Sequence, residues 1–232
     1  MTATPVDDTT VTVTGTSLVR RRSVALDPTP IREAVVPAVR RGLDIAGAGL
    51  MLLVLLPLFV VIMIAIRLTS PGPVFYVKDR VGRNGEPFKF IKFRTMVPGA
   101  DTLRSEILGT PDEDMPERYR EDPRITAVGR VLRRWSLDEL PQLINVLRGD
   151  MSLVGPRPII YDEVPLLESW QHDRHLCRPG LTGLWQVSGR KETSWDERIA
   201  LDLEYVRTQS LRKDTAILVR TVGVVIRGDG AY

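Results

Sequence analysis

An acidic pair, Asp138 and Glu139, stands in the segment Ser136-Leu-Asp-Glu-Leu-Pro-Gln-Leu143. Ser136 followed three residues later by Glu139 fits a capping box, which predicts that both acids lie in the first turn of a helix. Acidic residues are common there because they complement the helix dipole. Pro141 also allows the helix to begin a residue or two later, since proline is tolerated only near a helix start.

The same position suits phosphoryl chemistry. Free N–H groups at a helix start can bind phosphate and would keep Asp138 ionised. An ionised carboxylate can attack a phosphoryl group and form an aspartyl phosphate. A carboxylate pair with a divalent metal is a usual arrangement for phosphoryl transfer, and Arg133 and Arg134 just upstream would offset the developing charge. On spacing alone, the simple helix cap and the catalytic pair both stay open.

A second loop adds a cation at a fixed place. In Gly155-Pro-Arg-Pro158 the prolines on both sides of Arg157 restrict the backbone. A positioned arginine loses less entropy when it grips a phosphate, and its planar fork donates two hydrogen bonds at once. A simple turn explains the same four residues equally well.

The strongest physical signal is the segment 45–66, which contains no charged side chain. A straight helix of that length is just long enough to span a bilayer, but Pro57 near its middle predicts a kink or a break. A kinked span would place its flanks on opposite sides, whereas a re-entrant hairpin would return to the same side. Basic residues on both flanks favour the re-entrant form. A buried core helix is the alternative, but so small a chain has little protein with which to surround it.

The chain is therefore predicted to have three parts: a flexible tail over residues 1–37, a re-entrant membrane helix over 38–69, and a compact domain over 70–232. The predicted fold class is mainly α with a small β-hairpin, the hairpin formed by strands at 74–77 and 88–94 around the turn sequence Gly82-Arg-Asn-Gly85.

The rest of the domain over residues 70–232 is predicted to be largely helical. Residues 97–124 are irregular and acidic, with a helical stretch near Leu103, and the helical pattern from Ile125 onward is broken at glycine- and proline-rich points. Ser194-Trp-Asp-Glu197 is a capping box that predicts a helix reaching about Thr208. Residues 216–226 form a last apolar helix that suits either the core or the membrane interface.

Composition narrows the function classes. The formal net charge is +3 with a pI near 9.2, and the single cysteine, Cys177, excludes an intrachain disulfide framework. No basic-aromatic stripe or nucleic-acid module is present, so no nucleic-acid partner is expected.

Five motifs, in this order, resemble the bacterial sugar transferase family, the monotopic phosphoglycosyl transferases that start exopolysaccharide and glycan assembly. The resemblance runs from about residue 40 to residue 230. The motifs are Lys92-Phe-Arg-Thr-Met96, Ser136-Leu-Asp-Glu-Leu-Pro-Gln142, Asn145-Val-Leu-Arg-Gly-Asp-Met-Ser152, Val154-Gly-Pro-Arg-Pro158 and Arg178-Pro-Gly-Leu-Thr-Gly-Leu-Trp-Gln-Val-Ser-Gly-Arg190.

The resemblance implies an activity and a set of site residues. Asp138 would be the nucleophile that attacks the β-phosphate of a UDP-sugar and expels UMP, and a polyprenyl phosphate would then take the phospho-sugar. Glu139 would be its partner, and Mg²⁺ would be held by Asp138, Glu139 and Asp202. The phosphate-binding set would be Lys92, Arg133, Arg157 and Arg190.

The resemblance also implies a place in the cell and a set of partners. The catalytic domain would sit on the cytoplasmic face of the inner (plasma) membrane, in contact with lipid, and a homodimer is left open. The family often has Ser-Pro at the helix break where this chain has Leu56-Pro57, so a hydroxyl that could satisfy the bend is missing.

Two rival functions remain open at this stage. A non-catalytic membrane-anchored protein that binds anionic lipid would explain the apolar segment and the arginines, and a phosphodiesterase would pass the phospho-sugar to water. The sequence does not name the sugar.

Overall fold

The computed structural model describes residues 30–100, 122–189 and 193–228, with side chains described from residue 37 onward. Within these ranges the helices are α1 (Pro30–Thr69), α2 (Ala127–Arg134), α3 (Gln142–Arg148), α4 (Trp195–Thr208) and α5 (Leu211–Arg227). The strands are β1 (Phe75–Val81), β2 (Pro87–Phe93), β3 (Ser152–Val154) and β4 (Gly180–Thr182). The prediction of a mainly helical chain with a β-hairpin is confirmed. The expected loop and helical stretch near Leu103 and residues 1–29 of the predicted tail lie outside the described residues.

Helix α1 is longer and more regular than the sequence predicts. It begins at Pro30, inside the range predicted as tail, and continues without interruption through Pro57. The predicted break at Pro57 is therefore wrong. Proline removes a single backbone hydrogen bond, and apolar packing on either side, by Leu55 and Phe59, supports the helix across that point.

One stripe of α1 packs against the rest of the chain along its whole apolar length. The residues of this stripe recur every three or four positions, as one helix face requires: Asp44, Ala48, Leu52, Leu55, Phe59, Ile62 and Ile66. The remaining faces are exposed, and only 17 % of the most apolar window is buried inside the chain. Among the described residues, α1 is the one helix long and apolar enough to cross a membrane.

Charged residues fix the start of the apolar stretch of α1 to three different elements. Arg40 pairs with Asp214 of α5, and Arg41 donates to the carbonyl oxygens of Val146 and Leu147 at the end of α3. The Asp44 carboxylate accepts the backbone N–H of Leu153 at 2.9 Å and the Ser152 hydroxyl at 3.0 Å. The helix is thus docked on the domain before its apolar part begins.

The predicted β-hairpin is present. β1 and β2 pair antiparallel with Phe75 opposite Phe93 and Tyr76 opposite Lys92. The connection contains Asn84 and Gly85, both with positive φ, which matches the turn chemistry of the sequence. Because side chains alternate across a strand, Lys92 and Phe93 point to opposite faces of the hairpin.

A small parallel sheet is present that was not predicted from the sequence. β3 pairs with β4 in the register Ser152 with Gly180 and Val154 with Thr182. The backbones approach so closely that a Cβ on Gly155 would lie 2.5 Å from the carbonyl oxygen of Arg178. Each strand has three residues within a proline- and glycine-rich motif, so neither shows the alternating pattern of a longer strand.

The last two helices complete the core. α4 has the predicted capping box, with Ser194 accepting from the Glu197 N–H and the Glu197 carboxylate accepting from the Ser194 N–H, and it ends at Thr208 as predicted. α5 contributes to the core on one face, and its place at the membrane interface stays a prediction. Ile217 and Val224 are buried in the core, while its outer face leaves four large apolar side chains exposed: Leu218, Val219, Val222 and Ile226.

Candidate active site

The Lys92-Phe-Arg-Thr-Met96 motif connects α1 to the acidic pair. Phe93 is buried against Phe59 of α1, with ring centroids 5.2 Å apart, and Arg94 donates to the carbonyl oxygen of Ser70 just after α1 ends. On the other face, Lys92 lies over the Tyr76 ring with its Nζ 5.1 Å from the centroid. The Thr95 hydroxyl accepts from Nε of Arg133 at 2.9 Å. Successive residues at the end of β2 therefore contact α1 on one side and hold two cations of the site, Lys92 and Arg133, on the other.

The acidic pair lies in a short 3₁₀ turn, Leu137–Glu139, between α2 and α3. Ser136 has φ 54° and ψ 23°, a left-handed conformation, and its side chain makes no cap hydrogen bond. The predicted capping box is therefore wrong. α3 begins only at Gln142, after Pro141, so the acids precede the helix, and Ser136 redirects the chain from α2 into the turn.

Asn145 fixes this region against the hairpin. Its side chain is fully buried. Oδ1 accepts the Ile91 N–H at 3.2 Å, and Nδ2 donates to the carbonyl oxygen of Lys89 at 2.7 Å. These bonds join α3 to the middle of β2. They hold the turn that precedes α3 beside the strand that carries Lys92.

Arg157 comes to the site from the end of the parallel sheet. The carboxyl ends of parallel strands meet at one edge, so the Gly155–Pro158 loop after β3 lies beside the 3₁₀ turn Trp185–Val187 after β4. The Arg157 guanidinium lies 5.9 Å from the Trp185 ring centroid. Its Nη1 donates to Oε1 of Glu139 at 3.0 Å. The small sheet is therefore what delivers this arginine to the acidic pair.

The electrostatics of the acidic pair follow from burial and from neighbouring charge. Burial and the adjacent Glu139 carboxylate raise the pKa of Asp138, while the charges of Lys92, Arg133 and Arg157 act in the opposite direction. The expectation that a helix start would keep Asp138 ionised is replaced by this balance. A buried carboxylate with a raised pKa is more basic than a free one, and three cations surround it to stabilise charge.

Lys92 responds to the same surroundings. Burial is the main cause that lowers the pKa of Lys92 to about 8, and the negative charge of Asp138 partly offsets it. The Arg157 pKa is raised, first by the Glu139 carboxylate. Anionic substrate groups would find both cations already held near the acidic pair.

The residues present fit a magnesium ion in one respect and not in another. Mg²⁺ is usually bound by one or two carboxylates together with substrate phosphates and water, and Asp138 and Glu139 supply two carboxylates whose mutual repulsion a cation would relieve. Among the described residues, no group of three or more His, Cys, Asp or Glu side chains is placed to hold a metal. The Asp202 carboxylate instead pairs with Arg174.

The structure brings five of the seven predicted site residues together: Lys92, Arg133, Asp138, Glu139 and Arg157. Asp202 lies behind the Arg157 loop, and Arg190 lies outside the described residues. Sequence reasoning missed several residues that position the five: Tyr76, Thr95, Asn145, Arg174 and Trp185. Four of these belong to segments that were marked as strand or motif, but their partners are distant in sequence and could not be assigned.

The chain is similar in sequence to several known proteins. Residues 35–228 match the family model described as bacterial sugar transferase. The chain is 43 % identical to the exopolysaccharide production protein ExoY of Rhizobium meliloti (strain 1021) over 198 residues, 83 % of this chain and 88 % of that protein. It is 44 % identical to the undecaprenyl-phosphate galactose phosphotransferase of Salmonella typhimurium over 202 residues, 84 % of this chain and 42 % of that protein. A UDP-glucose:undecaprenyl-phosphate glucose-1-phosphate transferase of Caulobacter vibrioides is 41 % identical over 211 residues, 88 % of this chain and 75 % of that protein.

Proposed function

The chain belongs to the bacterial sugar transferase family and is a phosphoglycosyl transferase; from this premise we propose that it moves a sugar 1-phosphate from a UDP-sugar to a polyprenyl phosphate and releases UMP. The reaction would be the first membrane step of exopolysaccharide or cell-surface glycan synthesis. The observation that carries the proposal is the acidic pair, with Asp138 buried and Glu139 half-buried, under the charges of Lys92, Arg133 and Arg157.

The chemistry follows two displacements at one phosphorus atom. A carboxylate oxygen of Asp138 attacks the β-phosphorus, the bond from that phosphorus to the bridging oxygen breaks, and UMP leaves with the bridging oxygen. An oxygen of the polyprenyl phosphate then attacks the same phosphorus, and the bond to Asp138 breaks. Burial raises the pKa of Asp138, and the charges of Lys92, Arg133 and Arg157 oppose that rise and so favour the ionised carboxylate that attacks. One small site can thus serve a water-soluble substrate and a lipid substrate in turn.

The cations have separable tasks in this scheme. The charges of Lys92 and Arg133 act on the pKa of Asp138 more strongly than that of Arg157, and these two cations would stabilise the phosphoryl group under attack, as electrostatic stabilisation of phosphoryl transfer requires. Arg157 is bonded to Glu139 and would hold the diphosphate beside it. Asp138 and Glu139 would hold Mg²⁺, which would supply positive charge to the diphosphate oxygens.

The test is a trapping experiment on the purified, membrane-bound protein. UDP-glucose or UDP-galactose labelled in the β-phosphate is supplied without lipid acceptor, and label on the protein is measured. We expect label on the wild type, none on Asp138→Asn, and discharge of the label when polyprenyl phosphate is added.

Other outcomes separate the rivals. Release of UMP that depends on lipid, without any trapped label, would mean direct transfer with Asp138 in another role. UMP release that needs no lipid would indicate a phosphodiesterase. Neither label nor UMP with any UDP-sugar would favour the anionic-lipid-binding protein, which should keep its lipid affinity in Asp138→Asn.

We further propose that both ends of α1 lie on the same, cytoplasmic, side of the inner membrane. The proposal is supported by contacts of one domain with both ends of the apolar stretch of α1: Asp44 bonds to β3 where the stretch begins, and Ile66 packs with Phe93 and Leu132 where it ends. A helix that crossed the bilayer would carry its far end away from that domain. The exposed faces of α1 would lie in lipid, and the outer face of α5 would rest on the membrane surface.

A further inference from the structure

Arg174 and Asp202 form an enclosed ion pair directly behind the Arg157 loop. Their side chains are 2 % and 1 % exposed. Nη2 of Arg174 donates to Oδ2 of Asp202 and also, at 2.8 Å, to the backbone carbonyl oxygen of Arg157. One nitrogen with two hydrogens thus joins a buried carboxylate to the backbone of a site residue.

The pair is a poor stabilising device. Removing two charges from water costs free energy that their attraction barely offsets, so apolar residues of similar volume often do as well. Within the described ranges, both Nε and Nη1 of Arg174 have no hydrogen-bond partner, which leaves the pair incompletely compensated. Its role is therefore to be sought in what it contacts.

We propose that Arg174 and Asp202 are positioning residues that fix Arg157 against the acidic pair, and that Asp202 is not a metal ligand. This inference rests on the proposed function, in which Arg157 grips the donor diphosphate. Asp202 neutralises and orients Arg174, and Arg174 holds the Arg157 backbone.

The loop shows why such a tie is needed. Its start is held by the β3–β4 pair, through Gly155 N–H to the Thr182 carbonyl at 2.9 Å and Gly180 N–H to the Pro156 carbonyl at 2.8 Å. Its end is held by the Val81 N–H, which donates to Ile159 at 3.1 Å. Prolines 156 and 158 have no N–H to donate. The bond from Arg174 holds the middle of the loop at Arg157, the residue whose side chain reaches Glu139.

A fixed backbone matters because the Arg157 side chain is long and partly exposed. Its guanidinium reaches Glu139 on one side and the Trp185 ring on the other. Displacement of the backbone by about 1 Å would move the guanidinium off the diphosphate, and misplacement of that size can lower a rate by roughly 100-fold. Because Asp202 belongs to α4, the Arg174–Asp202 pair also links the position of this helix to the site.

The first test is a double-mutant cycle measured as UMP release, with the UDP-sugar that the wild type uses and polyprenyl phosphate. Arg174→Gln should lower kcat/KM for the donor by roughly 10- to 100-fold, with most of the change in KM. The double variant with Arg157→Ala should be no slower than Arg157→Ala alone, because Arg174 acts through Arg157. If the two effects multiply instead, the proposal is overturned.

The metal assignment has its own readout. Asp202→Asn keeps the shape of the side chain but removes its charge. The Mg²⁺ concentration that gives half-maximal rate should stay within about twofold of the wild-type value, whereas loss of even a group that hydrogen-bonds to a metal ligand typically weakens metal affinity 10-fold or more. An increase of that size would make Asp202 a ligand and would refute its positioning role.

Hydrogen exchange tests whether the Arg174–Asp202 pair holds the Arg157 loop. This test applies even if the wild type releases no UMP and the proposed function is wrong. Arg174→Gln should speed exchange of the amides of Arg157, Ile159 and Ile160. The matched control is Arg124→Gln, which breaks another buried pair, Arg124 with Asp122, exposed by 5 % and 0 %. The control should leave these amides unchanged, and equal exchange in both variants would overturn the proposal. If Arg174→Gln does not fold, Arg174→Lys replaces it and should retain partial protection, since lysine keeps the charge and one donor nitrogen.

Discussion

Arg40 and Asp214, 174 residues apart in the sequence, form a two-point ion pair that joins α1 to α5. Nε of Arg40 donates to Oδ2 of Asp214 at 2.8 Å, and Nη2 donates to Oδ1 at 2.9 Å. The Tyr205 hydroxyl donates to the same Oδ1 at 2.8 Å. The pair ties the start of the apolar stretch of α1 to the helix whose outer face is exposed and apolar, so the two elements with exposed apolar faces are held in one orientation.

Breaking this pair should destabilise the protein. Arg40→Gln removes the charge that pairs with a mostly buried carboxylate, which should cost about 2 kcal/mol and lower the thermal unfolding midpoint in detergent. The control is Lys89→Gln, which breaks the exposed Lys89–Asp79 pair, 66 % and 49 % exposed, and should change stability by less than about 1 kcal/mol. Equal shifts in the two variants would contradict the role given to Arg40.

The pH dependence of activity should reveal Lys92. Its pKa is lowered to about 8 from an ordinary value of 10.5, so it carries its charge below about pH 8 and loses it above. We therefore expect kcat/KM, which reports ionisations of the free enzyme, to fall as the pH rises through about 8. In Lys92→Arg the fall should move to higher pH, because the guanidinium stays charged. If the fall in kcat/KM at alkaline pH is the same in Lys92→Arg as in the wild type, it is caused by another group.

Ser136 should behave as a left-handed residue and not as a helix cap. Ser136→Gly removes the Cβ that this conformation disfavours, so stability should be unchanged or slightly higher. Ser136→Val should destabilise the protein by roughly 1–2 kcal/mol, because a β-branched side chain fits this conformation poorly. Chemical denaturation of the two variants checks this. A loss with glycine as large as that with valine would mean that the hydroxyl makes a contact of its own.

The outer face of α5 should contact lipid. Cysteine is placed at Val219 or Val222, 68 % and 60 % exposed, in a Cys177→Ser background and labelled with a polarity-sensitive fluorophore in nanodiscs. Emission should shift to shorter wavelength and be quenched by spin-labelled lipid. Leu166, 63 % exposed in the 3₁₀ turn Tyr161–Leu166, is the matched control and should show neither effect. The same response at all three positions would mean that the outer face of α5 is no closer to lipid than the rest of the surface.

Both ends of α1 should be accessible from one side of the membrane. Cysteine at Val39 or at Thr69, both exposed, is tested with an impermeant maleimide in the same Cys177→Ser background. Both positions should label in inside-out vesicles and neither in intact spheroplasts. Labelling of Thr69 from the outside, with Val39 protected there, would show that the helix spans the bilayer.

Much of the candidate site could be predicted because its residues lie in short motifs that carry their own chemistry. The acidic pair, Arg133 and Arg157 were singled out from their types and neighbours along the chain, whereas Lys92 and Arg190 were named through the family resemblance. The long apolar helix, the hairpin and the capping box of α4 were also predicted, since periodicity, turn residues and caps are local properties.

The assignments that were wrong depended on context. The continuity of α1 through Pro57 depends on packing by Leu55 and Phe59, which outweighs one lost hydrogen bond. The Ser136 cap failed because the chain turns there to reach the site. The assignment of Asp202 to the metal stays a prediction; the structure pairs its carboxylate with Arg174, 28 residues away in sequence, a contact that no local pattern encodes.

What the sequence determined by itself was therefore the chemistry available and the local elements that bear it. The tertiary structure decided which groups meet. Asn145 holds α3 to the hairpin, and the parallel β3–β4 pair brings Arg157 to Glu139. Each of these contacts joins segments far apart in the chain, and its energy depends on burial and on a fixed partner that no local pattern encodes.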